Sequence, residues 1–169
     1  IVGWGTSASS TTRTNAVNTR VSLSSNISRY AVTSKSITIT YNANGGSGAP
    51  SASSKTIYNT ATSGSITLSS TKPTRTGYTF LGWATSSSAS SATYTSGETY
   101  NFSESDTLYA VWKINTYKVD VVVNNGTTSP STRTVNYNTN ATFTVNPSTG
   151  YHYSLSLIHI SEPTRPEPI

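Results

Sequence analysis

Few side chains in this sequence of 169 residues have the type and spacing to do chemistry. A His-activated nucleophile needs an imidazole within hydrogen-bond reach of a hydroxyl and a carboxylate to orient it. Of the two His residues, His159 lies in an anomalous tail and His152 occupies what reads as an ordinary strand position. Outside the tail the carboxylates are Glu98, Glu104, Asp106 and Asp120. Glu104 and Asp106 have the period-two spacing that puts side chains on one strand face. A glycosidase needs its two carboxylates across a cleft, and calcium takes roughly six to eight oxygens. The segment Ser103-Glu104-Ser105-Asp106 reads instead as a solvated turn. Gly45-Gly46-Ser47-Gly48 lacks the Lys and the helix of a phosphate loop and reads as hairpin chemistry. The chain has no Cys, which removes disulfides, thiolate metal sites and Cys nucleophiles together. The sequence therefore assigns no catalytic, cofactor-binding or metal-binding residue, and it predicts a chain that is not an enzyme.

The elements that would hold such residues are strands. Ser36-Ile37-Thr38-Ile39-Thr40-Tyr41 alternates strictly, so Ile37, Ile39 and Tyr41 share one face. Asn44-Gly45-Gly46 supplies the positive-φ positions of a turn. Residues 51–60 form a weaker, Ser-rich strand. Thr79 to Ala84 is a central strand and Thr107 to Lys113 a closing one. Thr93-Tyr94 and Thr99-Tyr100-Asn101-Phe102 are short edge pieces around a turn at Gly97. Ile114-Asn115 is a minimal linker, after which Thr116 to Val123 alternates again, and Ala141 to Val145 is a further strand. Trp83 and Trp112 each bring roughly 150–250 Å² to bury, so the core is expected around them. Tyr residues offer an apolar face and a polar tip to a sugar, yet here most alternate with Thr, as in a half-buried sheet.

The chain repeats itself. Ile1-Val2-Gly3-Trp4 matches Phe80-Leu81-Gly82-Trp83, and Tyr30-Ala31-Val32 matches Tyr109-Ala110-Val111. Both 83 − 4 and 109 − 30 give 79. Downstream, Asn124-Asn125-Gly126 and Pro130 answer Asn44-Gly45-Gly46 and Pro50, and Pro147 to Tyr153 answers Pro73 to Phe80. This divides the chain into the back half of a repeat (1–35), a complete module (36–115), the front half of a divergent repeat (116–154) and a residue (155–169) that does not continue the pattern.

The signature Tyr41-Asn42-Ala43-Asn44-Gly45-Gly46, then Lys72-Pro73-Thr74-Arg75-Thr76-Gly77-Tyr78-Thr79-Phe80-Leu81-Gly82-Trp83, then Leu108-Tyr109-Ala110-Val111-Trp112, resembles the Listeria–Bacteroides surface repeat family, of which the internalin B-repeat is the best-known member. The first copy departs from it with Thr33 in the place of Trp112, and the third with Val121-Val122-Val123. The resemblance implies a β-rich α+β fold: tandem, small β-grasp-like modules with a short helix or helical turn near 61–71. Composition opposes that helix, because Ser and Thr are poor helix formers. The tail Leu155 to Arg165 resembles the translation of a sequencing-library adapter, and 155–169 is set aside as non-native.

Without the tail, ten basic residues face four acidic ones, a net charge of +6. They are scattered, so no nucleic-acid arm is expected. No apolar run approaches the ~20 residues of a membrane helix. Together these features predict a non-catalytic repeat region of a bacterial cell-surface protein, an open fragment of a longer chain, acting as a stalk or adhesion module. The expected location is extracellular, at the cell surface or wall. The expected partners are anionic wall polymers or host surface glycans and proteins, with tandem repeats in cis, bound at a surface and not in a pocket. The alternative is an accessory carbohydrate-binding or spacer module of a secreted enzyme. A third possibility is a stalk stapled by an isopeptide at Lys113 or Lys118. Asn26, Asn101, Asn125 and Asn140 head glycosylation-type triplets, which abundant Ser and Thr produce by chance.

Overall fold

The computed structural model describes residues 1–22, 25–59 and 61–152. The adapter-like tail at 155–169 lies outside the described residues. The chain divides into two compact units, Ile1–Asn115 and Thr116–Ile169.

The first unit contains β1 (Gly3–Gly5), β2 (Tyr30–Val32), β3 (Ser34–Asn42), β4 (Ser53–Tyr58), β5 (Gly64–Thr67), β6 (Tyr78–Ala84), β7 (Thr99–Phe102) and β8 (Asp106–Ile114). The alternating run becomes β3, and Ile37, Ile39 and Tyr41 are buried along one face as the period-two pattern requires. A four-stranded sheet forms in the order β4-β3-β8-β6. β3 and β8, its two central strands, are parallel, with Tyr41 opposite Leu108. The outer pairs, β3–β4 and β6–β8, are antiparallel.

The β-rich α+β, β-grasp-like fold implied by the family resemblance does not hold: among the described residues the chain is all-β, with no helix. Where a helical turn was expected near 61–71, Gly64–Thr67 extends and pairs antiparallel with β7, Ile66 opposite Tyr100. The physical reason lies in Ser65-Ile66-Thr67-Leu68. Its β-branched and hydroxyl side chains fit a pleat better than a helix, and its alternation sends Ile66 and Leu68 toward one core. That core joins Ile37, Ile39, Tyr41, Ile57, Leu68, Trp83, Tyr100, Phe102, Leu108 and Ala110, with Ile66, Phe80, Tyr94 and Trp112 packed at its edge. The small β5–β7 sheet thus does the covering that a helix would have done.

Trp83 is the largest fully buried side chain. Its ring lies 5.0 Å from Tyr41 and 5.1 Å from Phe80, tilted and edge-on, the geometry that adds to aromatic burial. A register shift between Phe80 and Gly82 places both Phe80 and Trp83 on the core side and leaves Leu81 40% exposed. The shift needs glycine. Gly82 has φ +146°, and a Cβ there would sit 2.4 Å from the Tyr94 carbonyl oxygen. Trp83 Nε1 is buried without a hydrogen-bond partner among the described residues, so the tryptophan stabilises through area despite an orphaned donor.

The β1–β2 pair has the same register as the heart of β6–β8. Gly3↔Val32, Trp4↔Ala31 and Gly5↔Tyr30 coincide with Gly82↔Val111, Trp83↔Ala110 and Ala84↔Tyr109 at a shift of 79 residues. Trp4 bridges Asn15 as Trp83 bridges Tyr94. Asn59, from the β4–β5 connection, donates from Nδ2 to the Ser10 carbonyl at 2.8 Å and accepts from the Thr33 amide at 3.2 Å.

The second unit contains β9 (Thr116–Asp120), β10 (Gly126–Ser129), β11 (Thr132–Asn136) and β12 (Thr144–Pro147). β9 pairs with β11 and β10 with β12, both antiparallel. The strand expected at 141–145 begins only at Thr144 and runs to Pro147. Among the described residues of this unit no hydrophobic side chain is fully buried.

Candidate functional site

The β5–β7 sheet covers only one end of the large sheet's inner face. Beyond it that face continues as Phe80, Trp112 and Tyr78, all partly buried. They line an open groove of about 700 Å³ together with Gly45, Gly46, Ser47, Pro73, Thr74, Arg75 and Thr76. The size lies within the range of ligand sites.

Local chemistry builds one bank from Asn42 to Ser47. Asn42 Oδ1 accepts from the Asn44 amide at 2.8 Å, and Asn44 holds φ +47°, an αL position that Asn tolerates. Asn44 Nδ2 donates to the carbonyls of Ser87, at 2.9 Å, and Ala110, at 3.0 Å. This pins the turn to the loop after β6 and to β8. The Trp112 indole donates to the Ala43 carbonyl at 2.9 Å. Gly46 permits that approach, since a Cβ there would stand 2.5 Å from Trp112 Cζ2 and 2.6 Å from the Thr74 carbonyl.

The other bank is Pro73 to Gly77. Ser47 and Thr74 exchange two backbone hydrogen bonds, at 2.8 and 2.9 Å, and so tie the two banks together. Arg75 lies against the Tyr78 ring, its Cζ 3.8 Å from the centroid, a cation–π contact. Phe80 and Trp112 meet edge to face at 5.6 Å. An unbroken run of rings, Tyr41–Trp83–Phe80–Trp112, thus leads from the buried core into the groove. The Asn-Gly-Gly and Pro-x-Arg-x-Gly-Tyr motifs are the opposite banks, and Trp112 is the floor between them.

The residues weighed for catalysis lie apart. His152 is exposed. Glu98 Oε2 accepts from the Thr95 amide at 2.7 Å and from its hydroxyl at 3.1 Å, fastening a turn. Glu104 is exposed. Asp106 Oδ2 accepts from the Tyr100 hydroxyl at 2.7 Å. Burial, then that hydrogen bond, push the Tyr100 hydroxyl well above its ordinary range. Asp120 is held below the usual carboxylate range by the Thr132 hydroxyl and then by Lys118, its ion-pair partner at 3.0 Å. Lys113 is exposed. Among the described residues no three or more His, Asp or Glu side chains gather as a metal site would need. Asn26, Asn101, Asn125 and Asn140 are exposed.

Sequence reasoning missed the groove. The sequence places Trp112 in the core and Arg75 among the scattered charges. A signal was present: the Arg75-x-x-Tyr78 spacing in a loop after Pro73, facing a Gly-Gly turn.

Residues 38–111 match the model of the Listeria-Bacteroides repeat domain. The match spans the four strands of the large sheet and the β5–β7 pair, and it supports the repeat family for this module. No curated protein and no solved structure matches the chain.

Proposed function

We propose that this chain is a non-catalytic repeat region of a bacterial cell-surface protein, acting as a stalk and adhesion module outside the cell. The observation that carries the reading is the match of 38–111 to the Listeria-Bacteroides repeat domain. The register-for-register correspondence of β1–β2 with β6–β8 supports a tandem arrangement in cis. The net positive charge favours anionic wall polymers or host surface glycans as partners over neutral ones. Nucleic acid is disfavoured because the basic residues form no run. Among the described residues no helix is long and apolar enough to cross a membrane.

Protease shaving of intact source cells tests the location. Peptides from 36–115 should be released before lysis; their appearance only after lysis would overturn the reading. Binding of the chain to purified walls or host-cell surfaces should weaken from low to physiological salt, where the screening length is about 8 Å. A tandem array should bind more tightly than one copy through effective concentration.

The aromatic groove favours a second reading, an accessory carbohydrate-binding module of a secreted enzyme. A catalytic domain elsewhere in the full reading frame would support it; a wall-anchoring signal would support the first.

A further inference from the structure

The groove beside Trp112 offers two chemistries within one side chain's reach. Its floor is aromatic, Phe80 against Trp112. Its bank carries Arg75, the only charged residue lining it among the described residues. Among the described residues the Arg75 guanidinium has no ion pair and no hydrogen bond; it lies against the Tyr78 ring and beside Gly45. A guanidinium lying against an aromatic ring keeps its in-plane N–H fork available for a carboxylate. Ser47 and Thr74 add hydroxyls to the groove's lining, 3.3 Å from each other.

We propose that this groove binds an acidic polysaccharide, with the apolar face of a pyranose ring on Trp112 and Phe80 and the carboxylate of a hexuronate on Arg75. The proposal rests on the surface-adhesion reading and gives that reading a site and a ligand class. Charge complementarity selects the occupant. A neutral glycan would leave the unpaired guanidinium unanswered. A polyol phosphate would meet the guanidinium but has no ring face for the aromatic floor. A hexuronate satisfies both. The open form of the groove fits a chain that runs through it, and the fixed Ser47–Thr74 ladder makes it a preformed cleft.

The test uses the full chain and three probes at low salt: oligogalacturonate, its methyl ester and poly(glycerol phosphate). Titration calorimetry should show oligogalacturonate binding, with the methyl ester and poly(glycerol phosphate) each at least about tenfold weaker. Arg75→Gln should weaken oligogalacturonate about tenfold, and Arg75→Lys should fall between the two because it keeps charge but loses the fork. Both variants should melt with the parent. In amide spectra, the Gly45 and Gly46 amides and the Trp112 indole N–H should shift on binding. Equal binding of either control probe, binding unchanged by Arg75→Gln, or shifts confined to another surface would overturn the proposal. So would a failure of oligogalacturonate to bind. If it fails while the chain still binds walls or cells, the groove assignment falls and the adhesion reading stands. If shaving finds the module only inside the cell, the adhesion reading falls by itself.

Discussion

The complete module and the second unit open alike and end differently. Each begins with an alternating strand folded against a Ser- and Thr-rich partner, β3 on β4 in one and β9 on β11 in the other. In the module Ile37 and Ile39 are sealed from solvent; in the second unit Tyr117, at the comparable place in β9, is 40% exposed. Among its described residues the second unit has no counterpart of β6 and β8. The β1–β2 pair makes the converse case. It reproduces the Trp83 register, yet Trp4 stays only half-buried, with no counterpart of β3 among the described residues. Hairpin ladders form from local sequence, while burial comes from joining the front half to the back half.

The largest expected effect separates the two regions directly. Produced alone, 36–115 should unfold cooperatively and show near-ultraviolet dichroism from its packed rings, and 116–152 should show neither. A cooperative melt from 116–152 would break the comparison.

Next comes the tryptophan that joins the halves. Trp83→Ala should cost roughly 3–5 kcal/mol, against about 4–12 kcal/mol for a module of this size, so the isolated module should be close to unfolded. An unchanged melting temperature would remove Trp83 from the core. Trp83→Phe should be milder than the cavity alone suggests, because it also removes the orphaned indole N–H.

A smaller effect sharpens the role of the Gly-Gly turn. Gly46→Ala drives a methyl into Trp112 and the Thr74 carbonyl and should cost about 1–3 kcal/mol while shifting the indole resonance. Gly48→Ala, at φ +72° with nothing within 4 Å, should cost only the left-handed backbone term, about 1–2 kcal/mol, and leave that resonance in place. Equal indole shifts would show that Trp112 does not depend on Gly46.

The smallest effect concerns pH. Tyr100 has its ionisation pushed above the ordinary value of 10.0 in the folded chain. A raised value means that its stabilisation is complete below pH ~10, where the unfolded tyrosine begins to ionise, and is lost as pH rises beyond it. Tyr100→Phe should cost about 1 kcal/mol at neutral pH and flatten the alkaline limb of the stability curve. An unchanged limb would assign that limb to other tyrosines.

Alternation made β3 legible, and the recurrence of Gly-Trp marked where the core would sit. The resemblance, by contrast, implied a helix near 61–71 that Ser65 to Leu68 rejects, because a strand lets Ile66 and Leu68 reach the core while β7 takes up the backbone groups. The groove was illegible for a different reason. Whether Phe80 and Trp112 are core or floor depends on how far the β5–β7 sheet extends, and periodicity does not report a lid's length. Arg75 looked like one scattered charge because its isolation from carboxylates is a property of space and not of sequence.

The parallel pairing of β3 with β8 has a mechanical consequence. Ile39 lies level with Asp106 and Asn42 with Tyr109, so the chain enters at Ser34 and leaves at Ile114 at opposite ends of the sheet, roughly 40 Å apart at ~3.3 Å per residue. Tension along the chain then slides these two strands past each other instead of peeling them apart. Single-molecule pulling should show one abrupt rupture of the module, and gradual unzipping at low force would contradict it. The hydrogen bonds between β3 and β8 lie across the pull and share the load, so the strand pair that closes the core is also the one that would bear the strain in a tethered chain.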